Sequence, residues 1–211
     1  MIKCNVIADV ADMRGKSVLV FLRPMRPARN VKVHAWQVLD LSAGSTASFE
    51  YDPVISASIT TACIPAGSLT RSATTIVHPG ELFQAIRHSG LSPHLQECSR
   101  GMAAAHLTSS QSGVYNQTIP PIPINCRWLV SGSPVATMPD VDWGMTCSFE
   151  YEPALYFMIT SPLVSGENFT VQAFTDTTSY TPSPDISALD VRITWERNRW
   201  HFEFLPNWGD S

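Results

Sequence analysis

The sequence predicts an all-β fold built as two sandwich-like units related by internal duplication, with a short helical excursion around residues 80–105. Three observations predict it. Apolar residues make up 44% of the 211 positions and charged residues only 15%, which is ample material for a core and too little charge for a disordered chain. Short runs with two-residue alternation recur along the length, which is the period of a half-buried strand. A thirteen-residue segment, Ser48-Phe-Glu-Tyr-Asp-Pro-Val-Ile-Ser-Ala-Ser-Ile-Thr60, returns 100 residues later as Ser148-Phe-Glu-Tyr-Glu-Pro-Ala-Leu-Tyr-Phe-Met-Ile-Thr160, with seven positions identical.

Taken in order, Val18 to Leu22 is a continuous apolar run between Gly15 and Pro24, and Val31 to Leu39 mixes β-branched and aromatic residues. In each copy of the repeat the Phe and Tyr of Phe-Glu-Tyr point one way and the Glu the other. Asp52-Pro53 and Glu152-Pro153 then interrupt the strand, because proline has no N–H to give to a ladder. Ala154 to Ile159 is apolar on both faces, as an inner strand would be. Phe169 to Phe174 alternates again. Near the C-terminus Val191, Ile193 and Trp195 share one face. Arg197-Asn198 makes a two-residue turn, and Trp200, Phe202 and Phe204 alternate on the return strand.

Helix is expected in two places. Gly80 to His88 places Leu82, Phe83 and Ile86 on one side, and Ser92-Pro93 reads as an N-cap with proline at the first helical position, leading into His94 to Ala105. The segment Gln111 to Pro123, with one glycine and three prolines, reads as the linker between the copies. The expected units are therefore 1–110 and 124–211.

Composition excludes several function classes. The net charge is −4, and fourteen Lys and Arg are scattered among eighteen acids, which gives no footprint for nucleic acid. The densest basic stretch, Arg23 to Arg29 with Lys32, carries prolines and no aromatics, as a solvated loop does. No segment approaches the roughly 20 apolar residues of a membrane span, and the N-terminal residues lack the apolar stretch of a signal peptide. A cytoplasmic protein is expected, and the five widely spaced cysteines read as free thiols. The sequons at Asn116 and Asn168 would matter only on a secretory route.

Motifs of the common enzyme classes do not occur: there is no GxSxG elbow, SxxK, GxGxxG, P-loop or HExxH. His78, His88, His94 and His106 fall close together, but no pair sits four apart on a helical face, so no metal is expected and no cofactor is implied. If the two copies face each other around a pocket, Glu50 and Glu150 become symmetry-related carboxylates, and paired carboxylates can divide acid and base work when burial separates their pKa values. His34 is the third candidate catalytic group. Trp36, Tyr51, Trp143, Tyr151 and Tyr156 are the candidate lining of an apolar cavity for a small apolar molecule, and a homodimer is the assembly such a chain could form.

In the order of its features the chain resembles the rhizosphere-induced RhiA-type proteins. The residues that carry the resemblance are Val33-His-Ala-Trp36, Ser48-Phe-Glu-Tyr51, His78-Pro-Gly-Glu-Leu-Phe83, Cys147 through Ile159, Gly166 to Val171 and the terminal Trp200-His-Phe-Glu-Phe204. The resemblance implies a small two-part β protein and carries no catalytic residues with it. Two functions stand: a binding or interaction protein with an apolar ligand, and a cofactor-independent cyclase or isomerase of natural-product biosynthesis. Such an enzyme can work with few conspicuous residues, because holding a flexible substrate in a reactive shape alone lowers a barrier by up to roughly 7–11 kcal/mol. A structural coat protein is a third reading, which fits the Ser/Thr-rich composition better than the tryptophans.

Overall fold

The computed structural model describes residues 1–26, 30–62, 69–88, 91–151, 153–160, 165–166, 168–169 and 177–208. In chain order the strands are β1 (Ile2–Ala8), β2 (Ser17–Phe21), β3 (Lys32–His34), β4 (Gln37–Leu39), β5 (Thr46–Tyr51), β6 (Ile55–Ala62), β7 (Leu69–Arg71), β8 (Thr75–Ile76), β9 (Leu82–Ile86) and β10 (His94–Glu97). After helix α1 (Arg100–His106) come β11 (Gln111–Asn116), β12 (Ile124–Val130), β13 (Ser133–Val141), β14 (Thr146–Glu150), β15 (Leu155–Thr160), β16 (Asn168–Phe169), β17 (Thr178–Tyr180), β18 (Ile186–Glu196) and β19 (Arg199–Trp208). The fold is all-β with this one helix among the described residues.

The chain forms two compact units, and they cut across the segments 1–110 and 124–211. The first unit takes Met1–Leu22, Val33–Pro53 and Pro153–Ser211; the second takes Arg23–Lys32 and Val54–Glu152. Each unit therefore draws strands from both halves of the sequence. The physical reason lies at the repeated Phe-Glu-Tyr-x-Pro segments. Proline ends the ladder there, and the chain passes at Pro53 from the first unit to the second and at Pro153 back again. The linker-like stretch at Gln111 does not separate anything: Gln111–Asn116 is β11, a strand bonded on both sides.

The first unit is a sandwich of two sheets, ordered β19-β18-β1-β5 and β17-β15-β2-β4. Within the first sheet β18 runs parallel to β1 while its other pairs are antiparallel. The interior is closed by apolar residues from both sheets, among them Phe157 of β15 against Phe202 and Phe204 of β19, with ring centroids 5.9 and 5.4 Å apart. β2 is buried at all five positions, as its continuous apolar run requires.

The second unit repeats that plan. One sheet has the order β10-β9-β11-β14, again with a single parallel pair, β9 with β11; the other places β12 between β13 and β6, with β7 and β8 on the far side of β6. β5 and β14, the two Phe-Glu-Tyr strands, hold the same end position in their sheets. A common strand order is a likeness of architecture; descent by duplication is a separate matter, and the repeated segment is what speaks for it.

Gly113 in β11 is required by packing: a Cβ there would lie 2.7 Å from the Leu107 side chain at the end of α1 and 3.0 Å from that of Leu82. Two helical expectations are corrected. Gly80 to His88 is strand β9 at its centre, since its backbone pairs with β10 and β11. The expected helix from His94 begins instead at Arg100, because His94–Glu97 pairs with β9 as a strand and Ser99 supplies the cap, accepting from the N–H of Met102 at 3.3 Å. The expected strand from Phe169 to Phe174 falls, after Phe169, outside the described residues, as do Arg29 and Cys63.

Candidate functional site

Of the residues expected to line a cavity, Trp36 and Tyr51 are core, Tyr151 and Tyr156 are half-buried and Trp143 is exposed. Trp36 is 2% exposed and lies edge-on to Phe49 and Tyr51, at centroid distances of 5.4 and 5.9 Å; all three belong to the first unit. The second unit has its own cluster, in which Trp128 stacks on Phe149 at 5.0 Å and Phe149 on Tyr151 at 6.2 Å. Tyr156 is half-buried and stacks on Phe21 at 5.3 Å. Such contacts are what fills a sandwich interior.

Of the candidate catalytic groups, Glu50 and His34 belong to the first unit and Glu150 to the second. Glu50 is exposed and sits opposite Lys3 in the first unit. Glu150 belongs to the second unit, is largely covered, and accepts a hydrogen bond from Ser110 Oγ at 2.9 Å, with Arg26 Nε 3.8 Å away. His34, in the first unit, is buried and its Nδ1 donates to the carbonyl of Gly166 at 3.0 Å, which commits that nitrogen to holding a loop. Among the described residues no three His, Cys, Asp or Glu side chains gather as metal ligands would.

Trp143 is the exception among the lining candidates: it is 50% exposed, and Met145 two residues on is 59% exposed. Both stand on the turn between β13 and β14, and that turn is anchored by Asn116, which the sequence marks only as a sequon. Asn116 is fully buried. Its backbone N–H donates to the Met145 carbonyl and its own carbonyl accepts from Gly144, while Met145 N–H closes the turn on Asp142. Its side-chain amide donates to the carbonyls of Ile122 and Val141, at 2.8 and 2.9 Å, and its side-chain oxygen accepts from the N–H and hydroxyl of Thr118. An amide so engaged cannot accept a glycan in the folded chain. No signal short of the structure marks it, because a buried asparagine is defined by its partners.

The first unit has the same turn 100 residues earlier. Ala8 N–H donates to the Ser45 carbonyl, Gly44 N–H to that of Ala8, and Ser45 N–H to that of Ser42. Gly44 and Gly144 both take a left-handed conformation, at φ 72° and 78°, which glycine adopts without strain. The display differs: Ser42, Ala43 and Ser45 in one unit, Asp142, Trp143 and Met145 in the other.

Where the first turn is small, an open cleft of about 550 Å³ remains, lined by Asp12, Arg14, Lys16, Ser17, Asp40 and Ala43 among others. Two pairs of its polar groups are already engaged with each other. Ser17 Oγ donates to Asp40, and Arg14 donates through both side chain and backbone to Asp12, holding that carboxyl down to about 2. A second cleft, about 490 Å³, lies in the second unit between α1 and β9–β10, with Glu81, Glu97, Cys98 and Arg100 on its wall. Burial, and secondarily the charge of Glu97, raises the Cys98 thiol, so it is a poor thiolate source. Neither cleft is lined by Glu50, Glu150, His34 or the aromatic residues expected to line a cavity.

No family model matches the chain, and neither a curated protein nor a solved structure matches it. The likeness to RhiA-type proteins therefore rests on the residues quoted for it. No described helix is long and apolar enough to cross a membrane.

Proposed function

We propose that this chain is a binding protein that works through its surface, engaging a protein partner with the Trp143–Met145 turn of the second unit. One observation carries the reading: two turns of the same backbone construction differ in display, and the one pinned by Asn116 presents a tryptophan and a methionine where the other presents alanine and serine. Rigid, solvent-facing tryptophan is the side chain most enriched where partners bind tightly, since it buries a large area at little cost in conformational entropy. Half of the Trp143 surface is open to solvent.

Replacing both residues, Trp143→Ser with Met145→Ser, tests this. Partners captured quantitatively by the wild-type chain are expected to fall about tenfold or more with the double variant, a hot-spot-sized loss, while the melting temperature stays put. Capture that is indifferent to the double variant would sink the proposal.

A small-molecule ligand is the second reading, favoured by the cleft of the first unit, whose volume of about 550 Å³ suits a small molecule. Its charged and hydroxyl lining fits a polar ligand better than the apolar one expected from the sequence. A cofactor-independent cyclase or isomerase would use the same cleft, with Ser17 and Asp40 as the polar groups within reach. Native mass spectrometry separates the readings, since a metabolite retained one-to-one by the purified chain belongs to the second alone.

A further inference from the structure

We propose that β19 is a self-association edge, on which a second copy of this chain pairs antiparallel with its own β19 about a two-fold axis at Phe202. The inference is independent of the Trp143 surface, which lies in the other unit.

The argument starts at the turn. Arg197 and Asn198 both have left-handed backbones, φ 49° and 62°, which makes the β18–β19 connection the two-residue turn whose twist matches that of the strands it joins. In such a hairpin the pair flanking the turn, Glu196 with Arg199, exchanges hydrogen bonds, and bonded pairs then alternate along the ladder. His201, Glu203 and Leu205 therefore bond inward to β18. Trp200, Phe202 and Phe204 turn their N–H and C=O groups outward. Pro206 obeys the same phase, since it stands at an outward position where β18 asks for no donor.

β19 ends its sheet, with β18 its one neighbour among the described strands. Ten residues is long for an edge, and unguarded edges invite pairing with another chain. Several devices that protect edges are missing from its first half: its charges are limited to Arg199 and Glu203 with no lysine, the β18–β19 register is unbroken from Ala188 to Glu196, and the one proline lies at the far end. The corresponding edge strand of the second unit, β10, is kept to four residues.

The side chains choose both the occupant and the register. With the axis at Phe202, Trp200 meets Phe204 of the second copy, twice by symmetry, and Phe202 meets its own counterpart. These are the outward-facing positions, so about six backbone hydrogen bonds form. On the exposed face His201 lies opposite Glu203 of the second copy and Glu203 opposite its His201, two pairings of opposite character. Sliding by two residues in one direction sets His201 against His201. In the other direction it sets Glu203 against Glu203 and places Pro206 where a donor is needed. A strand complementary to itself in only one register is what a two-fold interface requires.

Sedimentation velocity on the full chain over a concentration series tests this with three proteins. The wild type is expected to dimerise. His201→Glu, which sets carboxylate against carboxylate twice, is expected to weaken the dimer about tenfold, and the exchanged variant, His201→Glu with Glu203→His, to restore it. Hydrogen exchange on the wild type gives a readout that needs no variant: the amides of Trp200, Phe202 and Phe204 gain protection as concentration rises. A wild type that stays monomeric, a dimer indifferent to His201→Glu, a weakened dimer that the exchange fails to restore, or amides whose protection ignores concentration each overturns the proposal.

Discussion

The two units share a strand order, a single parallel pair in one sheet, and a turn built from the same three backbone bonds, yet they differ wherever side chains leave the interior. The first unit spends its length on the β18–β19 hairpin, eleven and ten residues, and keeps the turn at Ala43 small. The second shortens the matching strands β9 and β10 to five and four residues, adds α1 after them, and loads the matching turn with Trp143 and Met145. The interior sets what is common, because sheet pairing and close packing tolerate little variation. The differences fall on turns and edges, where the backbone is fixed but the side chain is free. Equivalent construction with unequal display is how one scaffold comes to carry two surfaces.

The strongest test of the comparison removes the core tryptophan of each unit in turn. Trp36→Ala and Trp128→Ala are each expected to cost about 3–5 kcal/mol, measured by urea unfolding. Hydrogen exchange should place the damage by unit: for Trp36→Ala in β1, β2, β15 and β18, and for Trp128→Ala in β6, β11, β12 and β14. Damage confined to one half of the sequence would contradict the interleaved units.

A middle-sized effect is expected at Asn116. Ala8 holds its place in the first unit with backbone bonds alone, whereas Asn116→Ala removes a donor from two buried carbonyls and an acceptor from Thr118. The expected loss is about 2–3 kcal/mol. A loss below about 0.5 kcal/mol, the range of an ordinary surface change, would mean that the turn stands without its side-chain anchor.

The smallest effect distinguishes the thiols. Burial pushes Cys4 of the first unit up to about 12, and in the second unit a hydrogen bond with Cys147, then burial, raises Cys126. Alkylation of the folded chain with iodoacetamide, followed by peptide mass spectrometry, should mark Cys98 first of these four and reach Cys4, Cys126 and Cys147 only on unfolding. Rapid labelling of Cys126 would show that the second unit opens more readily than the first.

What the sequence made legible follows from how local the cause is. The terminal hairpin is read from Val191 to Phe204, including its Arg197-Asn198 turn, because alternation and turn chemistry are both written in neighbouring residues, while its extension to Ile186 and Trp208 is not. The burial of Phe49 and Phe149 and the exposure of Glu50 follow from strand alternation alone. Glu150 obeys the same rule of facing and is nonetheless covered, since Arg26 and Ser110 come from distant points of the chain. The stretch from Leu82 to Ile86 has apolar spacing that suits a helix, and only its pairing with β10 and β11 decides otherwise. Trp36 and Trp143 look alike in sequence; one is core and the other surface because one faces Phe49 and the other crowns a turn.

The passage of the chain at Pro53 and Pro153 also sets an order on how the molecule is made. Emerging from the ribosome, β1, β2, β4 and β5 present apolar faces with no opposite sheet complete, since their partners β15, β17, β18 and β19 are synthesised only after the second unit. The second unit has all its strands once β14 is out, and so it can close first. The strands made before the second unit are then among the last to find their place, and through that interval the growing chain depends on staying soluble with half a sandwich open.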